Sequence, residues 1–287
     1  MPSLRQVKRR IKSVQNTAKI TRAMEMIAAS KMRRAQQMVL SARPYANRMS
    51  NLLADLAAQP QYDDTIHPLL QSRNIRNIEV VLITPDRGLC GGLNANLNRA
   101  SGQYMIENNS LDIGVITVGK KGRDFMIRAN RNVKAVFTDM IDKPTILDIG
   151  PIARLVIDSY TKHDSDLVML IYPEFINTVN QRPVVKKLLP IEPAKLNSNQ
   201  TVGYIYEQGP ESVLNELLPR FVEVQIFQSL LESIASEHSA RMVSMGSATE
   251  NANEMIGDLT LLMNKIRQDA ITTELLDIVA GAISLDA

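Results

Sequence analysis

The sequence predicts a central α/β domain of Rossmann-like kind between two long terminal helices, which pair as an antiparallel coiled coil. Apolar residues recur at alternating four- and three-residue intervals at both ends of the chain, and short apolar strands alternate with helical stretches in the middle. The 287 residues include 14 Met but only 7 Tyr, 5 Phe and no Trp. That composition favours helix packing over a β-sandwich.

The first element is a coiled-coil helix predicted over residues 1–57. Apolar and small residues alternate in this four–three pattern from Leu4 to Leu56, and only Thr21 and Glu25 interrupt them. Globular helices usually end by roughly 20 residues, so a repeat of this length indicates a partner helix. The segment is strongly basic, with twelve Lys or Arg against two acidic residues.

A link over residues 58–74 and an α/β globular domain over residues 75–209 are predicted next. Three apolar strands and three helical patterns alternate along the domain, at residues 77–84, 94–108, 111–118, 121–130, 146–162 and 166–172. Such alternation predicts a small open sheet with helices packed on it.

A second coiled-coil helix is predicted over residues 210–287, and Pro210 suits its first turn. Its apolar stripe runs from Leu214 to Ala270 and then shifts by one residue at Ile271, as in a stutter of the supercoil. The segment carries four bases against twelve acidic residues, so it is expected to attract the basic N-terminal helix.

The polar stretch ASEHSARMVSMGSATENAN, residues 235–253, raises the question of an active site. Successive residues of a helix point about 100° apart, so Ser236, Glu237 and His238 do not form a triad. His238 lies on the apolar stripe and is predicted to be a helix-packing residue.

The glycine-rich stretch TPDRGLCGGLNANL, residues 84–97, follows a predicted strand and precedes a helix. Such a turn can hold a phosphate with backbone amides, but this one matches neither G-x-G-x-x-G nor G-x-x-x-x-G-K-[ST]. A structural turn is the preferred interpretation. Asp86 and Arg87 are then expected to be turn and surface charges that could meet another chain.

No catalytic residue, metal site or cofactor is predicted. Cys90 is the single cysteine, which excludes a disulfide or a dithiol switch within the chain. The three histidines are far apart, and the acidic residues of the middle segment lack metal-ligand spacing. No apolar run approaches the roughly 18 residues that a membrane helix needs.

The basic clusters KRRIK, residues 8–12, and KMRR, residues 31–34, could contact nucleic acid. Because the first aromatic residue is Tyr45, aromatic stacking near them is absent, and a protein-facing basic flank is preferred. Two alternatives stay open from the residues alone: an α/β nucleotide-binding protein with coiled-coil arms, and a coiled-coil module for nucleic acid.

Three motifs favour a different function. IKSVQNTAKITRAMEMIAASKMRRAQ at 11–36, DRGLCGGLN at 86–94 and ITTELLDIVAGAIS at 271–284 closely resemble the γ subunits of F-type ATP synthases. ARPYA at 42–46 and YIYEQGPESVLNELLPRFVE at 204–223 fit the same family, so the resemblance covers essentially the whole chain.

The resemblance implies a non-catalytic rotor shaft inside a ring of α and β subunits. Its foot would bind the c-subunit ring and the ε subunit, and proton flow would turn it so that each β site changes state in sequence. ATP chemistry would belong to β. The implied partners include no nucleic acid, and the membrane is reached only through the membrane sector.

The resemblance also assigns roles to individual residues. Contacts with the catalytic β subunits are implied for Met24, Arg87, Cys90, Arg241, Lys265, Arg267, Gln268, Thr272 and Glu274. The foot facing the c ring and ε is implied for Tyr204, Tyr206 and Glu207.

Two differences from other members of the family indicate which type of γ subunit this chain resembles. Chloroplast members carry an inserted cysteine pair, which a chain with Cys90 alone lacks. Mitochondrial members are made with a leader, whereas here the family motif begins almost at Met1. The expectation is therefore a bacterial form, peripheral on the cytoplasmic face of the plasma membrane.

Overall fold

The computed structural model describes residues 3–57, 67–140, 144–192 and 210–285. Its elements, in chain order, are α1 (Leu4–Ala57), β1 (Asn77–Ile83), α2 (Leu93–Glu107), β2 (Asp112–Val118), α3 (Lys120–Arg128), β3 (Asn132–Phe137), α4 (Ile146–Thr161), β4 (Leu167–Phe175), β5 (Gln181–Leu189) and α5 (Pro210–Leu285). The predicted fold class is confirmed: two long helices flank an α/β sheet domain.

Residue contacts divide the chain into two compact units. Unit 1 joins the described residues up to Ile27 with those from Met242 onward, and unit 2 runs from Ala28 to Arg241. Both long helices contribute to both units. The four-part division made from the sequence stays a prediction.

In unit 1, α1 and α5 lie antiparallel along a seam of small and apolar residues. Thr21, which interrupts the predicted stripe, is buried and lies with its Oγ1 2.8 Å from Oγ1 of Thr249. Glu25, the second interruption, packs against Gly246 of α5. A Cβ at Gly246 would lie 3.6 Å from Cδ of Glu25, so the glycine leaves room for the carboxylate. A polar pair in a helix seam satisfies its own hydrogen bonds and favours one register of pairing.

The C-terminal end of α5 extends beyond its partner. Because Thr21 lies opposite Thr249, roughly the last five turns of α5 pass the N-terminal end of α1. The apolar residues there are exposed, among them Ile271, Leu275 and Ile278. The predicted antiparallel pairing therefore holds only as far as α1 reaches, and α1 is too short to cover this last part of the stripe.

Unit 2 contains a five-stranded sheet in the order β3-β2-β1-β4-β5. The pairs β1–β2, β1–β4 and β2–β3 are parallel, and β5 pairs antiparallel with β4. Ile78 of the central strand β1 lies opposite both Ile113 and Leu167. Residues 78–83 are all buried, as expected for a strand covered on both faces.

Two strands, β3 and β5, are additional to the three predicted from the sequence. Both lie at the edges of the sheet, where only one side of the strand is paired. The sequence of β3 alternates half-buried and exposed residues, and that of β5 contains Pro183 and two lysines. Proline and lysine are typical of edge strands, and they conceal a strand in a search for apolar runs.

Within unit 2, α5 belongs to the core of the α/β domain as well as to a helix pair. Leu218, Val222 and Ile226 are fully buried in one cluster with Val81 of β1 and Ile152 of α4. The sequence predicts a single buried stripe along α5, but this segment is buried around most of its circumference. The reason is that both α1 and the sheet domain pack against it here. None of the described helices combines the length and the hydropathy needed to cross a bilayer.

Helix α4 begins with a capping box. The Thr145 amide and hydroxyl donate to the Asp148 carboxylate at 2.7 and 2.9 Å. The backbone amide of Thr145 is the main cause that lowers the pKa of Asp148 below its usual value, and the hydroxyl adds to it. The folded state therefore binds this proton less readily than the unfolded state, so the cap stabilises at neutral pH.

We expect Asp148→Asn to destabilise α4 above pH 5 and to become equivalent to the wild type as the pH falls through the lowered pKa. The stabilising contribution is lost on acidification because protonation removes the charge that accepts both hydrogen bonds. Hydrogen exchange of the α4 amides as a function of pH measures this destabilisation. Asp158→Asn, an exposed residue in the last turn of the same helix, is the control. A difference that persists unchanged to the lowest pH would contradict the prediction.

Candidate functional site

The glycine-rich turn connects the carboxyl end of β1 to the start of α2, at the edge where ligands bind in open α/β sheets. Leu89 and Gly91 adopt left-handed backbone conformations, with φ of 63° and 56°. Leu89 is unusual there because it is not glycine, and its apolar side chain is 60% exposed. The turn thus holds a large apolar side chain outward on a strained backbone.

Asp86 anchors the turn to its neighbours. Its Oδ1 accepts from the Lys120 amide at 2.8 Å, and its Oδ2 accepts from the Asp139 amide at 3.0 Å. Asp86 lies in the turn as expected but is half-buried, and its carboxylate is bound by the first amide of α3 and by the segment that follows β3. Arg87 is exposed, as expected of a surface charge, and its contact with another chain stays a prediction.

Cys90 is 1% exposed and packs with Leu93, Leu97 and Ala240. Burial raises the pKa of the Cys90 thiol above its usual value, against a smaller lowering by the Arg241 guanidinium. The Asn94 side-chain amide lies 3.3 Å from the sulfur. A buried thiol that is held protonated packs like a small apolar side chain and is a poor nucleophile.

Arg241 connects the turn to α5. Its Nη2 donates to the Gly88 carbonyl at 3.1 Å and to Glu237 Oε1 at 2.6 Å, and its Nη1 lies 3.4 Å from His238 Nδ1. The Arg241 side chain is 11% exposed. His238 is buried beside it, in agreement with its predicted helix-packing role.

A cleft of about 440 Å³ lies over this turn, lined by Lys31, Asp86, Arg87, Lys120, Asp139, Met140, Glu237, His238 and Arg241. Lys120 pairs with Asp139 at 2.6 Å, as Arg241 does with Glu237. The first amide of α3, which could face a phosphate, already donates to Asp86. Within the described ranges, no group of three or more His, Cys, Asp or Glu is arranged to hold a metal ion.

Comparison with known sequences identifies the family. A family model described as ATP synthase matches residues 3–285. The ATP synthase gamma chain of Dehalococcoides mccartyi strain 195 is 50% identical over 285 residues, which cover 99% of this chain and 100% of that one. The chain belongs to the ATP synthase gamma-chain family.

Other gamma chains agree with this assignment over their full lengths. The ATP synthase gamma chain of Herpetosiphon aurantiacus is 48% identical over 295 residues and covers all of both chains. That of Chloroflexus aurantiacus strain J-10-fl is 48% identical over 288 residues, covering 99% of each. All three relatives are bacterial, so the predicted resemblance is confirmed.

Solved structures show the same fold. The chain resembles one from the OSCP/F1/c-ring structure of Euglena gracilis mitochondrial ATP synthase with a TM-score of 0.68, at 19% identity, over 98% of this chain and 94% of that one. It resembles one from the central stalk and c-ring structure of the Tetrahymena thermophila enzyme with a TM-score of 0.60, at 24% identity, over 80% and 99%.

The contact residues implied by this gamma-chain resemblance fall into separate places. Met24 of α1 is half-buried in unit 1. The C-terminal group is exposed on α5 in the same unit, and it consists of Lys265, Arg267, Gln268, Thr272 and Glu274. Arg87, Cys90 and Arg241 are brought together in unit 2. The implied foot residues Tyr204, Tyr206 and Glu207 lie outside the described residues.

Three participants at the turn were missed by the sequence reasoning: Glu237, Gly88 and Leu89. The spacing of Glu237 and Arg241, four residues apart on a helix, is a signal that could have predicted their ion pair. The contact of Arg241 with Gly88 joins residues 153 positions apart, and no local pattern predicts it.

Proposed function

We propose that this chain is the rotating central shaft of a proton-translocating ATP synthase. It couples proton flow through the membrane sector to ATP synthesis or hydrolysis at the catalytic sites of the β subunits. The observation that carries the proposal is the full-length identity of about one half with ATP synthase gamma chains. The chain is a non-catalytic subunit of that enzyme.

The architecture of the two long helices suits the transmission of torque. Helices of 54 and 76 residues, wound against each other, resist bending and twisting better than one helix does. The polar Thr21–Thr249 pair opposes sliding of one helix along the other, since a shift would break the contact between the two hydroxyls and place each polar group against apolar residues of the seam.

The partners in this proposal are the α and β subunits of the catalytic ring, the ε subunit and the c-subunit ring. The exposed C-terminal part of α5 supports a contact with the ring, because its apolar face has no partner among the described residues of this chain. Five residues of this part would contact β: Lys265, Arg267, Gln268, Thr272 and Glu274. Met24 of α1 would make a separate contact with β.

The glycine-rich turn would form a further contact with β. Arg87 and Leu89 are the exposed side chains of the turn, so they would make the contact. Cys90 and Arg241 are directed into the chain, and they would act by supporting the turn.

The foot is proposed at Tyr204, Tyr206 and Glu207, facing the c ring and ε. The chain would then be peripheral on the cytoplasmic face of a bacterial plasma membrane and would reach the membrane only through the complex. The gamma chains that it resembles at 48–50% identity are all from bacteria, which supports this location.

The two alternative functions have weaker support. For nucleotide binding, the turn lacks a phosphate-binding lysine, and the Lys120 amide is occupied by Asp86. For nucleic-acid binding, neither basic cluster of α1 is accompanied by aromatic residues. Neither alternative accounts for similarity to gamma chains along the whole length.

Co-expression with the α and β subunits of the same genome tests the proposal. We expect one copy of this chain in a ring of α and β subunits by native mass spectrometry, with ATPase activity that depends on it. Removal of residues 265–287 should uncouple that activity from rotation of the shaft.

A matched variant separates helix length from side-chain contacts. It keeps all 287 residues and replaces the five proposed C-terminal contact residues by alanine, a strong helix former. We expect partial activity from this variant and less from the truncation. Failure of the wild-type chain to join the ring, or equal activity with and without it, would refute the proposed function.

A further inference from the structure

The turn between β1 and α2 is held at three points along its length. Asp86 is bound by the amides of Lys120 and Asp139 at one end of the turn. Asn94 contacts the Cys90 sulfur at the other end, at 3.3 Å. Between them, Arg241 donates to the carbonyl of Gly88.

The Arg241 contact is the one that ties the turn to the long helix α5. One guanidinium nitrogen, Nη2, has two hydrogens and uses them on Gly88 O at 3.1 Å and Glu237 Oε1 at 2.6 Å. Glu237 lies one turn earlier on α5, so its carboxylate orients the guanidinium toward the turn. Charge-assisted hydrogen bonds in a largely buried place are among the stronger polar contacts.

We infer that Arg241 is a positioning residue, which fixes the turn to α5 through the Gly88 carbonyl so that Arg87 and Leu89 are presented rigidly to β. This inference rests on the proposed function. It differs from a direct hydrogen bond between Nη2 of Arg241 and β, because both hydrogens of that nitrogen are used within the chain.

The backbone conformation of Leu89 indicates why the turn must be held in place. A non-glycine residue at a φ of 63° is strained, and such strain persists only where the surroundings hold it. The Leu89 side chain is exposed in spite of its size, so this backbone conformation is not explained by packing of Leu89 in the hydrophobic core. Together with Arg87, which is exposed two residues earlier, it gives the turn an apolar and basic surface that suits an acidic, apolar surface of the partner.

The decisive variants separate the ion pair from the carbonyl contact. Glu237→Gln keeps the Arg241 donation to Gly88, whereas the double variant Glu237→Gln/Arg241→Met removes it without leaving a buried charge. Arg241→Lys is the conservative variant and is expected to recover part of the effect. Arg220→Met/Glu223→Gln is the matched control, since this ion pair on α5 is more exposed, at 61% for the arginine side chain and 22% for the glutamate.

Two readouts are taken on the assembled complex. Hydrogen exchange of the Leu93 amide, which donates to the Cys90 carbonyl at 3.3 Å, reports opening of the turn. The ratio of protons pumped to ATP hydrolysed reports coupling. A purely structural role in the core would change exchange and leave that ratio as in the wild type.

For the double variant we expect exchange at Leu93 to accelerate roughly tenfold, the worth of one charge-assisted hydrogen bond. We expect the coupling ratio to fall to about half or less while ATP hydrolysis continues, because a loosened turn transmits force less directly. The Arg220 control should resemble the wild type in both readouts, whereas Glu237→Gln, which keeps an oxygen beside Arg241 but removes the charge that orients it, should show a smaller change than the double variant.

Wild-type exchange and coupling in the double variant would overturn the inference, as would faster exchange with unchanged coupling. If instead the wild-type complex hydrolyses ATP without dependence on this chain, the proposed function fails. The wild-type measurement therefore distinguishes failure of the shaft assignment from failure of the Arg241 role.

Discussion

Gly119→Ala is expected to disrupt the α/β domain. Gly119 has a φ of 106°, and an added Cβ would lie 1.9 Å from the carbonyl oxygen of Thr84. Thr84 cannot easily withdraw, because its amide donates to Val118 O and its Oγ1 accepts from the Gly122 amide, both at 2.8 Å. We expect the free energy of unfolding to fall by about 4 kcal/mol or more, since backbone strain and a displaced strand end are combined.

Hydrogen exchange of the β1 and β2 amides in increasing urea measures this loss where it arises. Gly88→Ala is the control in the neighbouring turn, because a Cβ there meets no atom within 4 Å. Its expected change is within about 0.5 kcal/mol. Equal effects at the two glycines, or a stable Gly119→Ala domain, would show that the close approach of Gly119 to Thr84 is not required.

Lys134→Met is expected to have the second largest effect, through a buried carboxylate. Glu79 of β1 is 1% exposed and accepts from Lys134 Nζ at 3.1 Å and from Ser159 Oγ at 2.9 Å. The lysine side chain passes over Gly114, where an added Cβ would lie within 2.3 Å of its Cε. Removing its charge leaves the carboxylate buried, and we expect a loss of about 3 kcal/mol.

A double-mutant cycle identifies the cause of that loss. Glu79→Gln in the Lys134→Met background should recover most of the stability, because the uncompensated charge is then absent. Arg182→Met is the control within the same sheet, since its pair with Glu174 is exposed and should contribute less than about 1 kcal/mol. Stability that does not depend on Glu79 in the Lys134→Met background would contradict the charge explanation.

Gly119 and Arg241 both support the glycine-rich turn. Gly119 lets β2 and α3 approach the end of β1, where the glycine-rich turn begins, and Arg241 holds that turn against α5. The sheet domain therefore supports one loop from two sides. In a rotating shaft, such support lets a surface loop carry force without yielding.

The sequence by itself determined the two long helices, because a four–three apolar repeat is a local pattern that a helix displays on one face. It also determined the three inner strands, whose uninterrupted apolar runs suit burial on both sides, and the family, through motifs carried at both ends and in the middle. The edge strands β3 and β5 escaped prediction because half-exposed strands contain the residues of loops.

The tertiary structure alone decided how the glycine-rich turn is built. The sequence placed Asp86 and Arg87 together as surface charges, yet Asp86 faces two backbone amides and only Arg87 is exposed. It also decided that the apolar C-terminal end of α5 has no helix beside it, since this depends on where α1 begins in the paired register. Local periodicity specifies which face of a helix is apolar, whereas packing between distant parts of the chain specifies what that face meets.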